Sequence, residues 1–210
     1  MIKINKRPLP NGIIIRREED YRSGTVLAML VEDCYNKCYI CEDAEPTSPR
    51  VEHRLPQERH PDLKFDWSNL FLSCDHCNSV KSDKYVGIID PTKIDPEEMI
   101  ELSLELDDEL REKVVVHKIS GGNDVDVTIS LLDATYNAAN TSMKRLASQN
   151  LRNKISNELS WFHMKLSEYK ECPNEDNKKT VVHLLSDKSA FAAFKRLIVR
   201  GVPDYIVVVK

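Results

Sequence analysis

The sequence predicts an α+β chain in which a small metal-stapled module is followed by a short antiparallel ribbon and a helical C-terminal region. Three observations carry this prediction. Two C-x-x-C pairs, Cys38-Tyr39-Ile40-Cys41 and Cys74-Asp75-His76-Cys77, stand 32 residues apart in a stretch with few long apolar runs. From Met99 to Leu106 the chain alternates, with Leu102, Leu104 and Leu106 on one face and Glu101, Ser103 and Glu105 on the other, the period of a strand. From Leu131 to Tyr169 there is neither proline nor glycine, and Leu146, Leu151, Ile155, Leu159, Phe162 and Leu166 make a helical stripe.

The chain has 210 residues, of which 41% are hydrophobic and 30% charged, an ordinary balance for a soluble protein of one or two domains. No apolar run approaches the ~20 residues that cross a bilayer. No apolar run follows the basic residues of the start, so no secretory leader is read there and a cytoplasmic protein is expected. Thiols stay reduced in that compartment, so six cysteines argue for metal binding over disulfides. The net charge of −4 is unevenly spread: −2 over residues 1–90, −8 over 91–140 and +6 over 141–210. That total disfavours a free-standing nonspecific DNA binder, and the acidic middle suits a protein partner better than a phosphate backbone.

Residues 1–17, with Lys6-Arg7-Pro8-Leu9-Pro10-Asn11-Gly12, read as an extended docking arm. Residues 18–90 form the stapled module, entered by a helix from Glu18 to Cys34 with Val26, Leu27, Leu30 and Val31 at helical spacing. Residues 91–130 form an acidic, strand-rich segment. There Val114–Val116 and Val125–Ile129 are strands split by the turn Ser120-Gly121-Gly122-Asn123. Residues 131–210 are helical: one long helix or two shorter ones to Tyr169, then a last helix from Ser186 to Val199. Ser186 is its expected N-cap, Ala190, Phe191, Phe194, Leu197 and Ile198 its apolar face, and Gly201 lies past its end.

Two residues between cysteines let both thiolates reach one ion from a tight turn. Cys38, Cys41, Cys74 and Cys77 thus offer the four-sulfur tetrahedral shell of a structural Zn²⁺. A segment so poor in core residues needs such a staple. Reduced core cysteines or a redox pair would not explain two pairs in so polar a stretch. Cys34 and Cys172 have no paired partner in sequence and read as plain thiols, with His60 and His76 as substitute ligands.

Between and after the pairs stand Val51-Glu52-His53-Arg54-Leu55-Pro56, Asp66-Trp67-Ser68-Asn69-Leu70 and Cys77-Asn78-Ser79-Val80-Lys81. These elements resemble the HNH, or ββα-metal, nucleases: an acidic-His-x-x-Pro strand, a W-x-N-L element and a C-x-x-C-N-x-x-K helix opening. The resemblance covers about a quarter of the chain. It implies a metal-dependent endonuclease with His53 as general base and with Glu52 and Asn78 holding a catalytic Mg²⁺ or Mn²⁺. Asn69 would orient the loop and the histidine. An imidazole that is largely neutral at pH 7 suits the base, and oxygen ligands suit a hard ion. Adjacent strand residues face opposite ways, so Glu52 can join His53 on one ion only through a twist or bulge. Asn78 stands where a strict motif has His, and His60 is a rival base. Arg54 and Lys81 are candidate phosphate-binding cations, and Trp67 is expected in the core.

Outside the module, the arm, Asp90-Pro91 through Glu98 and the stretch Leu131 to Asn137 resemble HNH subunits of bacterial anti-phage systems of the Septu type, called PtuB-like. That resemblance implies a PtuA-like ATPase partner, docked by the arm and the acidic middle. The basic C-terminal residues Lys144, Arg145, Arg152, Lys195, Arg196 and Arg200 would then meet nucleic acid, DNA first and RNA second. The competing reading is a non-catalytic zinc-stapled module that binds nucleic acid or a protein.

Overall fold

The computed structural model describes residues 1–22 and 24–200, so the expected stop at Gly201 and the last ten residues of the helical region lie outside the described residues. Within the module, the run Leu70-Phe71-Leu72-Ser73 is apolar enough to be buried on both faces. It forms β2 (Leu70–Cys74), antiparallel to β1 (Pro49–His53), with His53 opposite Leu70 and Glu52 opposite Phe71. The helix α3 (Asp75–Lys81) follows β2 without a loop, capped by Cys74, whose sulfur accepts from the Cys77 amide at 3.4 Å. Two strands and this helix make the small α+β unit. The entry helix is split into α1 (Glu18–Tyr21) and α2 (Gly24–Asp33).

The arm does not stand free. Met1, Ile2 and Ile4 are buried, and the Ile4 amide donates to the Pro91 carbonyl at 2.9 Å. The Lys6 ammonium donates to the Trp67 and Leu70 carbonyls and lies over the Trp67 ring, 4.1 Å from its centroid. Burial lowers the Lys6 pKa to about 8. Arg7 pairs with Glu32 and Asp33. Apolar side chains at the first, second and fourth positions give this segment a face to bury, and it docks on the chain's own module. Trp67 is half-buried beneath the arm, its indole N–H donating to the Arg7 carbonyl at 2.7 Å.

The ribbon is real but its strands are reassigned. β3 (Ile100–Leu106) pairs antiparallel with β4 (Glu112–Lys118) around a turn at Asp107–Arg111. Val125–Ile129 is not a strand: it lies in α4 (Asn123–Tyr136), with Gly122 at its N-cap. Its β-branched residues alternate, but Val125, Thr128, Leu131, Leu132 and Thr135 bury one helical face, and that burial decides the conformation. A boundary at residue 130 therefore falls inside a helix. After a break at Asn137–Thr141 comes α5 (Ser142–Glu171), with Leu151, Ile155, Phe162 and Leu166 buried and Leu146 exposed. Ser186 is no N-cap. It ends α6 (Glu175–Leu185), a helix begun by the Asn174 side chain accepting from the Asp176 and Asn177 amides, and the last helix is only α7 (Ala192–Val199). Among the described residues no helix is long and apolar enough to cross a membrane.

The charge asymmetry is resolved inside the molecule. Arg196 reaches Glu97 and Asp187, and Arg200 reaches Glu97 and Glu101, so the basic end of α7 closes on acidic residues just before and at the start of β3. Lys195 is fully buried against Glu158 and Ser189. Lys195 and Arg196 are thus enclosed by their partners, while the paired Arg200 side chain stays 43% exposed. The same region grips the first cysteine turn: the Lys37 ammonium donates to the Ser189 carbonyl at 2.8 Å, and the Ala193 amide donates to the Glu42 carboxylate at 3.3 Å.

If Arg196 serves the fold, Arg196→Ala costs about 1–3 kcal/mol in urea denaturation, the range for hydrogen bonds to charged groups. Lys144→Ala, in the first turn of α5 at a lysine in no ion pair among the described residues, shifts stability by less than about 0.5 kcal/mol. Equal effects of the two substitutions would remove the distinction.

Candidate active site

The four cysteines come together as the spacing predicts. Cys38 and Cys41 sit on a turn closed by a bridge between Lys37 and Ala44, while Cys74 and Cys77 sit at the start of α3. Their sulfurs all lie within 4.8 Å of one another, with Cys41 and Cys74 at 3.9 Å. A tetrahedral zinc with ~2.3 Å bonds needs sulfur–sulfur edges of about 3.8 Å, so the cluster fits such an ion. Burial pushes the Cys41 and Cys77 thiols well up, whereas hydrogen bonds from Cys38, Cys41 and Cys77 pull Cys74 down. A divalent cation is what lets all four ionise side by side. His76 is not a ligand here: its ring nitrogen donates to the Thr135 carbonyl at 2.8 Å. Cys34 is buried and Cys172 exposed, each outside the cluster.

Beside this cluster opens a cleft of about 360 Å³, lined among others by Glu52, His53, Gln57, Glu58, Asn78 and Asp83. His53 ends β1. Its Nε2 lies 2.9 Å from the Lys64 carbonyl. A carbonyl only accepts, so Nε2 carries the hydrogen and Nδ1 keeps the lone pair of a base. The Tyr21 ring meets the imidazole edge-on at 5.6 Å between centroids. Burial lowers the His53 pKa; the Lys64 carbonyl opposes this, and the Lys81 and Lys64 charges add to it. The neutral imidazole is thereby favoured.

Asn69 is buried and fixes the long loop between the strands. Its side chain accepts from the Leu55 amide at 2.8 Å and donates to the Leu55 and Leu63 carbonyls at 2.9 and 3.2 Å. It orients the loop that carries the Lys64 carbonyl and does not line the cleft. Asn78 lies one turn inside α3, so it is not the cap, and its side chain lines the cleft. His60, the rival base, is not among the cleft residues.

Glu52 departs from expectation. It is 5% exposed, and both carboxylate oxygens are engaged, one by the Lys81 ammonium at 2.7 Å and the other by the Tyr39 hydroxyl at 2.6 Å. Lys81 is 0% exposed, and Arg54 is tied to Asp90 and to the Ile88 carbonyl, so neither is an open phosphate-binding cation. Burial raises the Glu52 pKa, and Lys81 opposes it. Tyr39 and the Lys64 carbonyl are the parts that motif reading missed: one is an unconstrained position between two cysteines, and the other is backbone. Glu58 and Asp83 add carboxylates to the cleft wall, and the amide oxygen of Gln57 is buried without a partner among the described residues; oxygen ligands are the kind a hard cation takes.

Two outcomes follow. The purified chain carries about one zinc, by metal analysis, and Cys77→Ser both loses it and melts at least several degrees lower. Asn69→Ala costs about 1–3 kcal/mol for the buried loop groups it leaves unpaired, and a neutral result in urea denaturation would deny it the loop role.

Among curated proteins, the chain is 39% identical over 79 residues to the Septu protein PtuB of Bacillus thuringiensis. The match covers 35% of this chain and 31% of that protein, so it spans less than a third of the relative's length. No family model matches the chain, and no solved structure matches it.

Proposed function

We propose that this chain is a metal-dependent HNH endonuclease, the nuclease component of a Septu-like anti-phage complex that works beside an ATPase. The observation that carries the reading is the meeting of His53, from the end of β1, and Asn78, from α3, in one cleft beside a four-sulfur cluster. Asn69 pins the intervening loop. The partial likeness to PtuB supports the defence context.

In this reading the cysteine cluster holds a permanent Zn²⁺ that folds the polar segment. Asn78, with the Glu58 and Asp83 carboxylates of the cleft, recruits a second, exchangeable Mg²⁺ or Mn²⁺. When bound, that ion supplies positive charge where negative charge builds on the phosphate. His53 Nδ1 takes the proton of the attacking water, and its Nε2–H keeps the ring oriented through the Lys64 carbonyl. DNA is the first substrate to test and RNA the second.

Purified chain, alone and with its ATPase, is incubated with plasmid and with RNA in Mg²⁺ or Mn²⁺. His53→Ala lowers cleavage at least about 100-fold, the usual worth of a positioned base. Cleavage that survives the substitution removes His53 from that role. Binding without cleavage under every condition would favour the non-catalytic zinc module.

The pH profile gives a separate check. The His53 pKa is lowered, so the imidazole stays unprotonated further into acid, and the acid limb of kcat/KM falls below the ~6.5 of a free imidazole. An acid limb above that value would contradict a buried, neutral base.

A further inference from the structure

We infer that Glu52 and Lys81 form a buried lock that positions His53 and Asn78, and that Glu52 is not a ligand of the exchangeable ion. The inference rests on the cleft being the nuclease site proposed above. One ammonium makes both key bonds: Lys81 Nζ donates to Glu52 at 2.7 Å and to the backbone carbonyl of His53 at 2.8 Å. Lys81 is the last residue of α3, three residues on from Asn78, and Glu52 and His53 are the last two of β1. The pair therefore clamps the helix that carries one cleft group to the strand that carries the other.

The lock extends to the sulfur cluster. Glu52 also accepts from Tyr39, which lies between Cys38 and Cys41, and the Tyr39 ring stacks at 4.8 Å on Phe71, the cross-strand neighbour of Glu52. Cys77 and Lys81 are one turn apart on α3. Cluster, strand and helix are thus held by a carboxylate that is only 5% exposed and has both oxygens engaged. A divalent ion on Glu52 would stand against the ammonium in a site shielded from water, where like charges repel strongly. Displacing Lys81 to admit it would strand the ammonium, which is 0% exposed and pairs with no other carboxylate among the described residues. Glu52 and Lys81 are positioning residues here: they act through His53 and Asn78.

The test is a double-mutant cycle on the full chain with Glu52→Gln, Lys81→Met and both together, read by melting temperature, Mn²⁺ affinity from electron paramagnetic resonance, and kcat and KM. Each single substitution strands one buried partner, so each lowers the melting temperature by about 4 °C or more and kcat by at least about 10-fold, with KM nearly unchanged. The double variant strands no charge, so it melts near the parent and keeps Mn²⁺ affinity within about 3-fold, while kcat stays at least about 10-fold low because the clamp on the His53 carbonyl is gone. Additive losses in melting overturn the lock. So does an Mn²⁺ affinity about 10-fold weaker in the double variant, the signature of a lost ligand. If the parent chain cleaves no substrate, the nuclease reading fails, while the melting cycle still decides whether the pair is a lock.

Discussion

The convergence of four sulfurs is the constraint on which the module depends. Residues 34–85 bury few apolar side chains outside β2, and the long loop between the strands is held by polar contacts at Asn69. A two-stranded ribbon and a seven-residue helix are too small to fold on apolar area alone. Joining the turn at Cys38–Cys41 to the start of α3 sets the distance between β1 and the helix. The positions of His53 and Asn78 follow from that distance.

Charge does comparable work at larger scale. Glu97 and Glu101 pair directly with Arg196 and Arg200 at the end of α7. The separation of charge along the chain is thereby partly closed in space, while the net charge stays at −4.

Local signals were legible and distant ones were not. The zinc pairs could be read because ligand spacing is a property of one turn, and β3 because its alternation is uninterrupted. His53 and Asn78 were placed by motif, and they do share a cleft. Val125–Ile129 misled because alternating β-branched residues also fit a helix once Leu131, Leu132 and Tyr136 supply the buried stripe. α6 escaped notice because only Val181, Leu184 and Leu185 bury in an otherwise polar run. The partner of Glu52 was invisible for a simpler reason: Lys81 is 29 residues away, and nothing in the residues between announces a buried ion pair.

The grip of the C-terminal region on the first cysteine turn has a consequence for the order of folding. Lys37 and Glu42 are buried, and their contacts at Ser189 and Ala193 lie about 150 residues away along the chain. On a ribosome, the last cysteine of the cluster, Cys77, is made roughly 6–23 s before Ala193, at ~5–20 residues per second. In that interval the sulfur cluster can close and Glu42 can already pair with the Met1 ammonium, but Lys37 lacks the Ser189 carbonyl and Glu42 lacks the Ala193 amide. The module thus reaches its final packing only when the chain is nearly complete, and contacts of such long sequence separation place its last step among the slow ones.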